Sequence, residues 1–110
     1  MMDESTYQKL VSETFRRIED AFDEVDPDQI DITSTGDVVT FSFANGVRCI
    51  LNTQRPVRQL WLAARAEAWH FDWEEAGRRW IDDRGRGIEL SAQLSRIVKE
   101  QSGLDVVIRT

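Results

Sequence analysis

Six apolar residues, Tyr7, Val11, Phe15, Ile18, Phe22 and Val25, recur every three or four positions until Pro27 ends the pattern. At 100° per residue they fall within an arc of roughly 80°, so a helix gathers them on one face. The spacing predicts an amphipathic helix over residues 5–25. Ser5 and Gln8 have the capping-box spacing at its start, and Pro27 biases Asp26 away from helical geometry at its end. A stripe of this kind must be buried against a second layer. From Ile30 the pattern turns to short alternating runs rich in β-branched and aromatic residues: 30–33, 38–43, 47–52, 59–64, 69–73 and 80–82. These read as an antiparallel meander. Gly85 and Gly87 break it, and a second helix with Leu90, Leu94, Ile97 and Val98 on one face is expected to run to Gly103. A last strand is expected over 106–108. The expected class is α+β, with two helices packed on one face of an antiparallel sheet and the other face open.

A chain of 110 residues with 41% hydrophobic content closes one core, so a single domain over residues 1–110 is expected. Its apolar runs, such as 60–64, fall far short of the roughly 20 residues a membrane helix needs. The first six residues carry no basic, apolar targeting pattern, so a cytoplasmic protein is expected. The one cysteine, Cys49, lies in an apolar run and reads as a small buried hydrophobe.

The hairpin around Asn45-Gly46 decides which side chains occupy the open face. A two-residue loop would pair Phe43 with Arg48 and place charge beside the aromatic row. A three-residue loop, with Gly46 in a left-handed bulge, pairs Phe43, Phe41 and Val39 with Val47, Cys49 and Leu51 instead. The second register is self-consistent. It turns Arg48, Ile50 and Asn52 outward, and the same alternation sends Gln59, Trp61 and Ala63 outward while Leu60 and Leu62 point in.

The net charge of −6 is unevenly spread. Residues 1–32 hold ten acids against three bases, whereas the rest of the chain holds eleven bases against ten acids. A strongly negative end repels nucleic acid and anionic membranes and attracts cations or basic protein surfaces. Glu13 with Arg17 and Arg16 with Asp20 have pairing distance on the helix, but beyond Arg17 the like charges Glu19, Asp20, Asp23 and Glu24 repel one another. Asp23, Glu24 and Asp26 also crowd the negative end of the helix dipole, and Asp28 and Asp31 extend the run into the first strand. Stability alone does not favour this arrangement. Carboxylates without thiol or imidazole partners suit hard or borderline cations, and 26–31 lacks the glycine and distal glutamate of an EF-hand. The expected ridge is convex and solvated, and binds cations weakly at several places.

A second constellation is the outward row Asn52, Gln54, Gln59 and Trp61, with Arg55, Pro56 and Arg58 in the connecting loop. A substantially exposed Trp among amides is a typical interface anchor. His70 has no second His or Cys near it and reads as a structural or surface histidine, and Gly85-Arg86-Gly87 reads as a turn rather than a phosphate loop.

The order of elements, together with Asn52-x-Gln54-x-Pro56-x-x-Gln59-x-Trp61-Leu62-Ala63, His70-Phe71-Asp72 and Trp80-Ile81-x-Asp83-Arg84, resembles the frataxin family in its bacterial form over nearly the whole chain. The resemblance implies a frataxin-like αβ sandwich and ferrous and ferric iron as the cation. By family position the iron-binding set is Glu19, Asp20, Asp23, Glu24, Asp26, Asp28 and Asp31. The partner-binding set is Asn52, Gln54, Gln59 and Trp61, facing the cysteine desulfurase and scaffold of iron–sulfur cluster assembly. Glu67-Ala68 replaces a glycine pair common in bacterial relatives, the connection from Trp73 to Arg79 is longer than usual, and Arg55 with Arg58 makes the surroundings of Trp61 more basic. The expected role is that of a non-enzymatic monomer, able to oligomerise with iron, that regulates or supplies iron to cluster assembly. A ferroxidase and a metal-free acidic binding module are the alternatives. No nucleic acid or membrane partner is expected.

Overall fold

The computed structural model describes residues 2–110. Two helices, α1 (Glu4–Ala21) and α2 (Leu90–Ser102), accompany six strands: β1 (Ile30–Ser34), β2 (Val38–Phe43), β3 (Arg48–Gln54), β4 (Gln59–Ala64), β5 (Glu67–Glu74) and β6 (Arg79–Asp82). The strands form one antiparallel sheet in chain order, the topology that short connections impose. Tyr7, Val11, Phe15 and Ile18 of α1 and Leu90, Leu94, Ile97 and Val98 of α2 are buried together with Val39, Phe41, Cys49, Leu51, Leu60, Leu62, Phe71 and Trp80 of the sheet. Both helical stripes therefore cover one sheet face. The alternate side chains, including Arg48, Ile50 and Ala63, remain exposed on the other.

Four details depart from the sequence expectations. The N-cap of α1 is Asp3, not Ser5, because the Asp3 carboxylate accepts the Thr6 N–H at 2.7 Å and the first helical turn begins one residue earlier. The helix ends at Ala21, and its last turn holds no basic residue. The chain then continues in tight turns, with Phe22 N donating to Glu19 O and Asp23 N to Asp20 O. The acids at this end oppose the helix dipole, consistent with early termination, while Phe22 and Val25 still pack against the core. Residues 106–108 form no strand. Their alternation is real, with Ile108 buried and Val107 exposed, but it comes from packing beside α2, where Ser95 Oγ donates to Val106 O at 3.2 Å. The fourth departure, at Trp61, belongs to the open face described below.

The β2–β3 hairpin takes the three-residue register: Phe41 pairs with Cys49, Val39 with Leu51, and Gly46 has φ +88°, a left-handed conformation that favours glycine. The β4–β5 hairpin turns on Arg65-Ala66 alone, because Ala64 pairs with Glu67. Arg65 adopts φ 56° there.

Candidate functional site

All seven ridge carboxylates are exposed along the rim that runs from the end of α1 through the turns to β1. Two are engaged within the chain. Glu19 accepts from Ser34 Oγ on β1, and Asp26 Oδ1 accepts the Asp28 N–H at 2.9 Å, closing the turn that leads into the strand. Asp20, Asp23, Glu24, Asp28 and Asp31 make no side-chain hydrogen bond or ion pair among the described residues. Nor do three His, Cys, Asp or Glu side chains converge anywhere among those residues into a closed metal cage. The ridge thus offers oxygen donors in a row, each exposed to solvent and separately reachable. That donor set fits a hard or borderline cation held by one or two carboxylates plus water.

The open sheet face is more organised. Register brings Asn52 opposite Trp61 and Trp61 opposite His70, so the three lie in one row across β3, β4 and β5. The indole of Trp61 stacks on the His70 ring at 4.0 Å with planes 9° apart. Its Nε1 donates to Gln59 Oε1 at 2.8 Å, and Gln59 Nε2 donates to Asp72 Oδ1 at 3.0 Å and Asp83 Oδ2 at 3.1 Å. His70 Nδ1 lies 3.6 Å from the same Asp83 oxygen. Trp61 is therefore half-buried rather than substantially exposed, because the His70 ring covers one of its faces. Asn52 Oδ1 is buried and has no hydrogen-bond partner among the described residues.

From the core side, helix α1 reaches the strand ends that carry this network through Tyr7. Its hydroxyl donates to Gln59 O at 2.6 Å and accepts the Gln54 N–H at 3.2 Å, so one side chain fixes both ends of the β3–β4 connection. The two arginines of that connection do not form a free basic patch. Arg55 pairs with Asp37 at 3.0 Å, and Arg58 pairs with Glu4 at 2.9 Å while its guanidinium lies 5.9 Å from the centre of the Tyr7 ring. The expected basic surroundings of Trp61 are thus neutralised locally by acids distant in sequence.

A family model for the frataxin-like domain matches residues 1–104. The chain belongs to the frataxin family. It is 41% identical over 104 residues to the iron-sulfur cluster assembly protein CyaY of Pseudomonas fluorescens, covering 94% of this chain and 93% of that one. Identity to the CyaY of Pseudomonas aeruginosa is 43% over 105 residues, covering 96% and 95%. Among solved structures, a frataxin from Psychromonas ingrahamii superposes with a TM-score of 0.89 at 30% identity, over 99% of this chain and all of that one. Trimeric yeast frataxin, at 23% identity and a TM-score of 0.69 over 94% and 90%, shares the fold.

Sequence reasoning about this frataxin-family chain missed His70, Asp72 and Asp83 as members of the open-face network. The signal was present: a two-residue turn at Arg65-Ala66 combined with an outward Trp61 places His70 directly opposite it. The Tyr7 contact gave no such signal, because it joins residues 47 and 52 positions apart.

Burial raises the Tyr7 hydroxyl above its ordinary pKa, against the opposing effect of the Gln54 N–H. The folded state thus holds this proton more tightly than the unfolded chain. Its contribution is fully present below the ordinary tyrosine range, near pH ~10, and is lost as pH rises above it. Tyr7→Phe leaves the Gln54 N–H and the Gln59 carbonyl without their partner and is expected to cost about 1–3 kcal/mol. Urea denaturation of both proteins from neutral pH to above pH ~10 checks this, since the variant should also lose part of the alkaline decline.

Proposed function

We propose that this protein regulates or supplies iron in iron–sulfur cluster assembly, as a non-enzymatic cytoplasmic monomer of one frataxin-like domain. Its ridge meets both iron and a basic partner surface, and its open face docks on the cysteine desulfurase and scaffold machinery. The observation that carries the reading is the row of five exposed carboxylates, from the end of α1 into β1, that have no side-chain partner among the described residues. The names of its CyaY relatives support the assembly role, and the yeast frataxin structure in complex with ferrous iron supports the cation. Iron here is cargo: Fe2+ or Fe3+ held by Glu19, Asp20, Asp23, Glu24, Asp26, Asp28 and Asp31 in small, exchanging groups. Exposed carboxylates that compete with water and salt give an affinity on the order of tens of micromolar or weaker.

Replacing Asp20 and Asp23 by Asn and Glu24 by Gln tests the assignment directly. Most Fe(II) binding, followed anaerobically by calorimetry and by NMR line broadening, should disappear. The melting temperature should hold or rise, because like charges crowded at the negative end of α1 no longer repel one another or oppose its dipole. Unchanged iron affinity in that variant would sink the ridge assignment. Oxygen uptake per iron, compared with free carboxylate buffer, distinguishes this carrier role from an iron-oxidising one.

A further inference from the structure

The sheet has two edges, and they are treated differently. Beyond β6, the bridge between Ile81 and Glu89 and the bond from Asp82 N to Ile88 O occupy the outer side. Beyond β1 no strand follows among the described residues. The bonds from Ala44 N to Gln29 O and from Thr35 N to Val38 O fix the phase of the β1–β2 ladder. In that phase Asp31 and Thr33 bond to β2, whereas Ile32 and Ser34 turn their N–H groups, and Ile30 and Ile32 their carbonyls, toward the outside. The Ile30 N–H is already used by Asp26 O.

Beside this edge lies a groove of about 360 Å³ between the end of α1 and β1. Phe22, Val25, Pro27 and Ile32 contribute apolar surface to it, and Glu19 and Ser34 meet at one end. Its rim is formed by the free carboxylates of Asp23 and Asp31, with Asp20, Glu24 and Asp28 nearby in the chain. An unpaired edge beside a partly apolar groove invites another strand, and edge charge is a common guard against self-pairing. Here the guard is all of one sign. It repels a second copy of this acidic edge and attracts a segment rich in Lys or Arg.

We propose that the β1 edge and its groove take an extended basic segment of a partner protein as a seventh strand. Main-chain hydrogen bonds to Ile32 and Ser34 would supply register, alternate apolar side chains would enter the groove, and the intervening basic side chains would meet the rim. The proposal rests on the reading that the ridge meets a basic partner surface, and it adds the mode of contact.

The probe is an acetylated, amidated hexapeptide alternating Lys and Val. Its control has the same sequence with N-methyl groups on alternate residues, so that charge is kept and strand pairing is blocked. With the first peptide, the Ile32 and Ser34 amides should exchange at least about tenfold more slowly, and the control should bind at least about tenfold more weakly. Ser34→Pro, which removes one outward N–H at an edge position that tolerates proline, should weaken the first peptide and leave the control unaffected. Equal binding of both peptides, with ridge resonances shifting and no amide protection, overturns strand addition while leaving the basic-partner reading intact. No ridge shift with either peptide overturns both. Protection of Ile32 and Ser34 that grows with protein concentration in the absence of peptide would show that the edge takes a second copy, and would also overturn the proposal.

Discussion

Trp80→Ala is expected to cost about 3–5 kcal/mol of folding stability, the range typical of a large aromatic deleted from a packed core. Trp80 is wholly buried. Its ring meets Tyr7 edge-on at 6.4 Å and Trp73 at 5.4 Å, and its Nε1 donates to Thr14 Oγ1 at 2.9 Å inside the core. One side chain thereby fastens β6 to α1. The consequence reaches the open face, because β6 leads directly into Asp83, whose carboxylate accepts from Gln59 and whose backbone N–H donates to His70 O. Thr14→Val isolates the polar part of the contact. It removes the acceptor at nearly constant shape, leaves a buried indole N–H unpaired, and should cost about 1–3 kcal/mol. Thr14→Ser should restore most of that loss. Chemical denaturation checks all three, and a loss under about 1 kcal/mol for Trp80→Ala would mean that β6 is not fastened through this residue.

What could be read from the sequence followed from how local each feature is. Both helical stripes depend on residues three or four apart, and both helices are found, with only the ends of α1 shifted. The ridge is likewise local, being nearly contiguous from Glu19 to Asp31, so its exposure could be anticipated from charge repulsion alone. The β2–β3 register was legible because one of two loop lengths puts charge into an aromatic row, and burial decides between them. Features that depend on distant pairing were not legible. Arg55 and Arg58 read as a basic loop because Asp37 and Glu4, which neutralise them, lie 18 and 54 residues away. Asp82 was missed for a different reason: its partners are near in sequence, but its charge argues for exposure. Its carboxylate is buried because it accepts from Arg86 Nε at 2.9 Å and from the N–H groups of Ile88 and Arg84, holding the turn after β6. Burial alone would raise its pKa, but Arg86 and those backbone donors outweigh burial and hold it below the usual carboxylate range. Its share of stability is therefore present above the ordinary Asp pKa and lost as pH falls through the lowered value. The tail over 106–108 failed for a related reason: alternation shows which side chains are covered, not whether a sheet or a helix covers them.

Trp61→Ala is expected to weaken association with the cysteine desulfurase or scaffold at least about tenfold while costing the folded monomer only about 1 kcal/mol. The two effects separate because of what the indole touches. Within the chain it has the stack on His70, worth about 0.5–1.5 kcal/mol beyond area, and one hydrogen bond to Gln59, both at the surface of the open face. Neither lies in the core, since Leu60 and Leu62 on either side of Trp61 carry the burial of β4. Toward a partner, the part of the indole left exposed is rigid and already oriented by His70 and Gln59, so little conformational entropy is lost when it is covered. His70→Ala separates anchor from support. It removes the stack but keeps the indole, so it should weaken association less than Trp61→Ala and broaden the Trp61 side-chain resonances in the free protein. Affinity measured by surface-coupled binding, together with the melting temperature of each variant, checks the ordering. A Trp61→Ala protein that binds normally would remove the open face from the proposed interface, and one that loses several kcal/mol of stability would mean that the indole serves the fold rather than the partner.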